Sequence, residues 1–132
     1  MSLAPLLAAP SIVQLHAAGA MAALAIGGAQ FLAPKGTVPH RVLGYAWVGL
    51  MALVALSSFG ITGVGGAGRW SWIHLVSLYT LGALCLAVWQ ARQGRIRAHR
   101  YSMIGLYLGA LVITGAFTLL PGRRMGAVVF GW

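Results

Sequence analysis

The sequence predicts an all-α membrane protein, a four-transmembrane-helix up-and-down bundle made of two parallel pseudo-repeats. Three observations carry that expectation. Four apolar segments, about 11–32, 40–62, 71–91 and 99–120, hold almost no charge. About 20 residues at about 1.5 Å of rise each cross roughly 30 Å of hydrocarbon. The connections are about 7 to 9 residues long, which suits antiparallel neighbours and leaves no room for a soluble domain, so residues 1–132 read as one membrane domain. Finally, the halves repeat. Leu15-His16, an Ala/Gly-rich run, His40-Arg41 and Gly44 are answered by Ile73-His74, an apolar run, His99-Arg100 and Gly105. His16 and His74 are 58 positions apart, His40 and His99 59. Two hairpins entering from one side are related by an axis along the membrane normal, which sets matching histidines opposite each other.

Each segment carries a histidine at or one turn inside its start. In the first, His16 shares a helical face with Gly19, Ala20, Ala23 and Gly27, a groove of small residues that either receives something flat or lets a neighbouring helix approach. In the second, His40 lines up with Gly44, Trp47 and Met51. In the third, His74 precedes Ser77, Leu78, Leu81 and Cys85, and in the fourth His99 lines up with Met103 and Leu106. Met51 and Met103 read as core residues rather than axial ligands. The tail 121–132 begins Pro121-Gly122-Arg123-Arg124 and returns to apolar residues; too short to span, it is expected at the interface or against a partner.

Composition supports the membrane reading, with 60% of residues hydrophobic and 7% charged. The chain contains no Asp and no Glu. That removes carboxylate acid–base chemistry, Ser-His-Asp triads, oxygen-ligand calcium or magnesium sites and carboxylate proton relays. A formal charge of +9 needs a counterweight, from anionic lipids, acidic neighbouring subunits or porphyrin propionates. Nucleic acid is not an expected partner, because the basic residues lie beside membrane segments. The single Cys85 excludes an internal disulfide.

Lys35, Arg41, Arg92, Arg95, Arg97 and Arg100 gather on one side, and Arg69, Arg123 and Arg124 on the other. Basic short loops stay in the cytoplasm, so both termini are expected in the periplasm of a bacterial inner membrane. His40 and His99 then lie near the cytoplasmic face, His16 and His74 near the outer one. No cation precedes Lys35, so the first segment reads as a retained helix rather than a cleaved leader. Trp70, Trp72 and Trp132 suit an interfacial belt.

Imidazole is a strong iron ligand, and the core between facing helices is where such cofactors are held. The pairs His16/His74 and His40/His99 are therefore candidate axial ligands of two b-type haems, one per leaflet, with Arg41 and Arg100 placed to meet propionates. Roughly 16 residues of rise separate the two levels, about 24 Å. Six-coordinate iron leaves no substrate position, so the expected task is electron transfer between quinol or other redox partners rather than catalysis. With no carboxylate in the chain, each ligand's second ring nitrogen must meet a backbone carbonyl or water. Copper or zinc on the same side chains is an alternative, although two imidazoles alone make a poor zinc site. The histidines can also be interfacial residues facing lipid phosphates. In that case the chain is a cofactor-free accessory or structural subunit, docking as a homo-oligomer or onto a larger membrane complex.

Nearly the whole chain carries a resemblance. Ile73-His74-Leu75, Ala91-Arg92-Gln93-Gly94, His99-Arg100-Tyr101-Ser102-Met103-Ile104-Gly105-Leu106-Tyr107 and Phe117-Thr118-Leu119-Leu120-Pro121-Gly122-Arg123, with Leu15-His16, Pro39-His40-Arg41 and Gly44-Tyr45 in the first half, resemble a prokaryotic family of small predicted membrane proteins known as a domain of unknown function. The resemblance implies four helices in a bacterial inner membrane and brings no activity or cofactor. Members often carry an acidic residue before the second His-Arg, where this chain has Arg95 and Ile96. In architecture alone, the pairing of histidines at two depths is similar to transmembrane di-haem cytochromes b.

Overall fold

A computed structural model describes residues 1–61 and 71–132. The expected end of the second helix at Thr62, the cation Arg69 and the belt residue Trp70 lie outside the described residues. The elements are α1 (Ala4–Leu7), α2 (Ser11–Leu32), α3 (Val38–Ser58), α4 (Trp72–Arg92) and α5 (Ile96–Gly105). A π-helical segment (Leu106–Ile113), α6 (Thr114–Phe117) and α7 (Arg124–Phe130) complete the chain. No strand occurs among the described residues. Four helical stretches of 21 or 22 residues, Ser11–Leu32, Val38–Ser58, Trp72–Arg92 and Ile96–Phe117, are long and apolar enough to cross a membrane.

The first span has the bounds its hydropathy predicts. The second starts two residues early, because Thr37 Oγ1 accepts from the His40 backbone N–H and Pro39 needs no donor partner in a first turn. The fourth starts at Ile96 and ends at Phe117, each three residues before the expected position. Gly94 makes the turn ahead of it at φ +72°, a left-handed conformation costly for other residues.

Consecutive spans are antiparallel neighbours, and the fourth closes back onto α2, so the order around the bundle is α2, α3, α4, α5. The diagonal pairs α2/α4 and α3/α5 make no close backbone approach among the described residues. In hydrocarbon, apolar side chains gain little by leaving lipid for one another, so close packing and interhelical hydrogen bonds must hold such a bundle. Each neighbouring pair has such bonds. Trp47 Nε1–H donates to the Ala23 carbonyl at 2.9 Å and Gln30 Nε2–H to the His40 carbonyl at 2.8 Å, joining α2 to α3. Ser58 meets Ser77 between α3 and α4. Ser102 donates to Gln90 Oε1 at 2.7 Å between α5 and α4, and Tyr107 O–H to the Leu24 carbonyl at 3.0 Å closes the ring.

The small-residue groove on α2 receives these neighbours. Gly19, Ala23 and Gly27 are the buried residues of that helix, and Val54, Trp47 and Tyr107 fill the space above them. The core comprises Ala23, Trp47, Met51, Leu84, Ala87, Leu106 and Leu111, with Met103 partly buried against it. Leu24, Leu53, Leu56, Leu75 and Leu78 point outward, as a lipid-facing surface requires.

The fourth span departs from the regular helix its pattern predicts. Residues 106–113 are π-helical, and their two buried residues, Leu106 and Leu111, are five apart. At about 100° per residue, an α-helix would turn such a pair roughly 140° away from each other. The wider turn of i→i+5 bonding brings both to the core. The tail is also more structured than its length suggests: α7 packs on α1, and Ser2 N–H donates to the Val128 carbonyl at 3.0 Å.

Candidate functional site

Antiparallel spans place the four histidines at two ends of the bundle, one pair on each diagonal: His16 on α2 with His74 on α4, and His40 on α3 with His99 on α5. The end holding His40 and His99 also holds Lys35, Arg41, Arg92, Arg95, Arg97 and Arg100, and is called the basic end below.

At the opposite end both imidazoles are engaged with hydroxyls and backbone. Ser57 Oγ–H donates to the Val54 carbonyl at 3.0 Å, so Ser57 accepts from His16 Nδ1–H at 2.9 Å. That tautomer leaves a lone pair on His16 Nε2. His74 is 4% exposed and has the reverse arrangement. Its Nδ1 accepts the Ser71 backbone N–H at 3.0 Å, which puts the ring proton on Nε2. A capping box normally uses Glu or Gln here; in a chain without acids, histidine takes the place. The His74 ring also stacks on Phe59, with centroids 5.5 Å apart. Ser58 and Ser77 touch each other, and touch the Ala55 and Ile73 carbonyls respectively. Two hydroxyl protons serve three contacts, so one contact lacks a proton at any moment.

At the basic end His99 Nδ1 lies 2.8 Å from the Ala87 carbonyl. A carbonyl only accepts, so Nδ1 carries the proton and Nε2 presents its lone pair. His40 lies within electrostatic reach of both His99 and Lys35. Its Nδ1 is buried without a hydrogen-bond partner among the described residues, and so is Oε1 of Gln30, whose amide nitrogen bonds the His40 carbonyl. Each such orphan costs about 1–3 kcal/mol, and two on adjoining residues of one end call for an explanation. Arg41 and Arg100 follow the two histidines and are exposed; no carboxylate in the chain can pair with them.

No group of three or more His, Cys, Asp or Glu side chains placed to hold a metal occurs among the described residues. What the fold assembles are imidazoles bonded to hydroxyls and to the backbone. Trp72 and Trp132 are half exposed, packed on Phe117 and Phe130 respectively. Sequence reasoning missed Gln30, Ser57 and Ser58 as histidine neighbours or interhelical links. Gln30 had a signal, since it is a lone amide near the end of an apolar run, where an unpaired polar group is expensive.

Four spans closed into a ring by hydrogen bonds, with polar side chains turned inward, define an integral membrane protein of the polytopic helical type. A family model described as "Predicted membrane protein (DUF2306)" matches residues 13–128. The chain belongs to that family of unknown function. No curated protein and no solved structure matches it.

Proposed function

We propose that this protein is a small b-type electron carrier of the bacterial inner membrane, with His40 and His99 as the principal pair of haem ligands and His16 and His74 as a second pair. The observation that carries the reading is the state of the basic-end imidazoles: His99 anchored through Nδ1–H on a carbonyl, with Nε2 left for a ligand, beside a His40 whose buried Nδ1 has no partner. Ligating histidines commonly have their other nitrogen fixed in this way. A haem held by two imidazoles supplies a reversible one-electron couple with no coordination position open to substrate. Ala87 fixes the orientation of His99, and Arg41 and Arg100 supply charge for propionates.

The fit at the other end is incomplete. His16 Nε2 has a lone pair to offer, but His74 has its proton on Nε2 and its Nδ1 in the helix cap. A second haem there requires the His74 ring to turn and give up the Ser71 bond. The excess of cations at the basic end favours placing it in the cytoplasm, with both termini outside. Quinol or a redox protein is the expected electron partner.

A second reading, a cofactor-free accessory subunit, draws on the same opposite end, where the His16–Ser57 and Ser58–Ser77 contacts serve as interhelical links. A reduced-minus-oxidised absorbance spectrum of the full chain purified from haem-replete cells separates the two. Sharp b-type bands are expected in the wild type, and His40→Ala and His99→Ala should each lose the haem of the basic end, leaving no more than the signal of the His16/His74 pair. A colourless wild-type protein, or a haem content in both variants equal to that of the wild type, overturns the carrier and favours the accessory subunit.

A further inference from the structure

We propose that the groove between α3 and α4 is a binding site for one anionic phospholipid. Its walls are Val48 and Ala52 on α3 and Leu81, Cys85 and Val88 on α4, and it opens sideways toward the lipid. At about 430 Å³ it falls within the roughly 300–1,000 Å³ typical of small-molecule sites. From Leu81 to Arg92 the helix rises about 16 Å, close to half of the roughly 30 Å hydrocarbon thickness. That length matches an acyl chain belonging to the leaflet at the basic end.

The mouth determines which head group fits. Arg92 lines it, with Nε–H donating to the Tyr45 hydroxyl at 3.4 Å, so the tyrosine's own proton is left for an outside acceptor. Trp89 lines it too, and the Arg95 guanidinium lies 4.9 Å above that ring. A guanidinium and a phenol stand as donors at the mouth of an apolar groove, with the second guanidinium held beside them over Trp89. With no Asp or Glu anywhere in the chain, their countercharge has to come from outside it. A phosphodiester with a neutral head group satisfies the donors, while a choline ammonium would face two cations. The site is independent of the haem reading, and neither result below bears on it.

The full chain, held in neutral detergent with equal phosphatidylglycerol and phosphatidylcholine, is tested by native mass spectrometry. One retained phosphatidylglycerol is expected, with phosphatidylcholine lost. Arg92→Ala should lower retention roughly fivefold to tenfold, as expected for losing about one surface cation, and Arg92→Lys should restore part of it. Arg123→Ala, at the far end, should change nothing. Ala52→Phe, which fills the groove, should also lower retention, with helix content checked by circular dichroism. Cys85 gives a second readout that needs no groove substitution: its alkylation by a membrane-soluble maleimide should be slower in phosphatidylglycerol vesicles than in phosphatidylcholine, and equal in the two for Arg92→Ala. Equal retention of both lipids, or Arg92→Ala indistinguishable from wild type in both assays, overturns the proposal.

Discussion

Gly27→Ala tests whether close packing on the α2 groove holds the bundle together. A Cβ built at Gly27 falls 2.5 and 2.6 Å from two ring carbons of Tyr107 and 2.8 Å from Trp47 Nε1. Neither ring is a free end that can swing away: Tyr107 O–H is bonded to the Leu24 carbonyl and Trp47 Nε1–H to the Ala23 carbonyl. Overpacking of this kind costs about 1–3 kcal/mol, and displacing both rings puts at risk two interhelical bonds worth about 0.6 kcal/mol each on average. Against that stands a helix-propensity gain of at most about 1 kcal/mol for replacing glycine. The net expectation is a loss of about 1–3 kcal/mol. Gly49→Ala is the control, because its Cβ meets nothing within 4 Å and only the propensity gain applies. The assay is reversible unfolding in mixed micelles with rising dodecyl sulfate, followed by circular dichroism and tryptophan fluorescence. Gly27→Ala as stable as Gly49→Ala would refute the reasoning. So would a Tyr107→Leu replacement that failed to recover any of the loss in the Gly27→Ala background.

Met51 is 1% exposed and the largest fully buried side chain among the described residues; Met51→Ala should destabilise by about 2 kcal/mol or more through the cavity it leaves, read in the same micelle assay. A double-mutant cycle on Ser58→Ala and Ser77→Ala should return a coupling of about 0.6–1.7 kcal/mol; a value indistinguishable from zero would mean that the α3–α4 contact does not contribute as a hydrogen bond. Reporter tags on the two termini should both give the external signal in intact cells, and a cytoplasmic signal from both would reverse the orientation proposed from the cations.

The spans follow from hydropathy because the cost of placing a residue in hydrocarbon is paid largely one residue at a time. The same holds for their antiparallel order, since short connections permit no other neighbour. The diagonal placement of the histidine pairs follows from that order once the ring closes. The state of each imidazole was beyond such reasoning. Whether Nδ1 donates, as in His99 against Ala87, or accepts, as in His74 under Ser71, depends on how each helix is rotated about its own axis. Periodicity puts residues on a common face, but it does not say which way that face turns. The π segment makes this concrete: it shifts the phase of the fourth span midway, so Leu106 and Leu111 share the core although an α-helical count separates them.

Apolar run length and loop length were thus enough to establish a membrane bundle of four spans. Only packing in three dimensions could assign the α2 groove to Trp47 and Tyr107, leave His40 Nδ1 and Gln30 Oε1 unpaired at one end, and join His16 to Ser57 at the other. The reason is that partition into lipid is a sum over residues, whereas a hydrogen bond between helices depends on the rotation, depth and tilt of both at once.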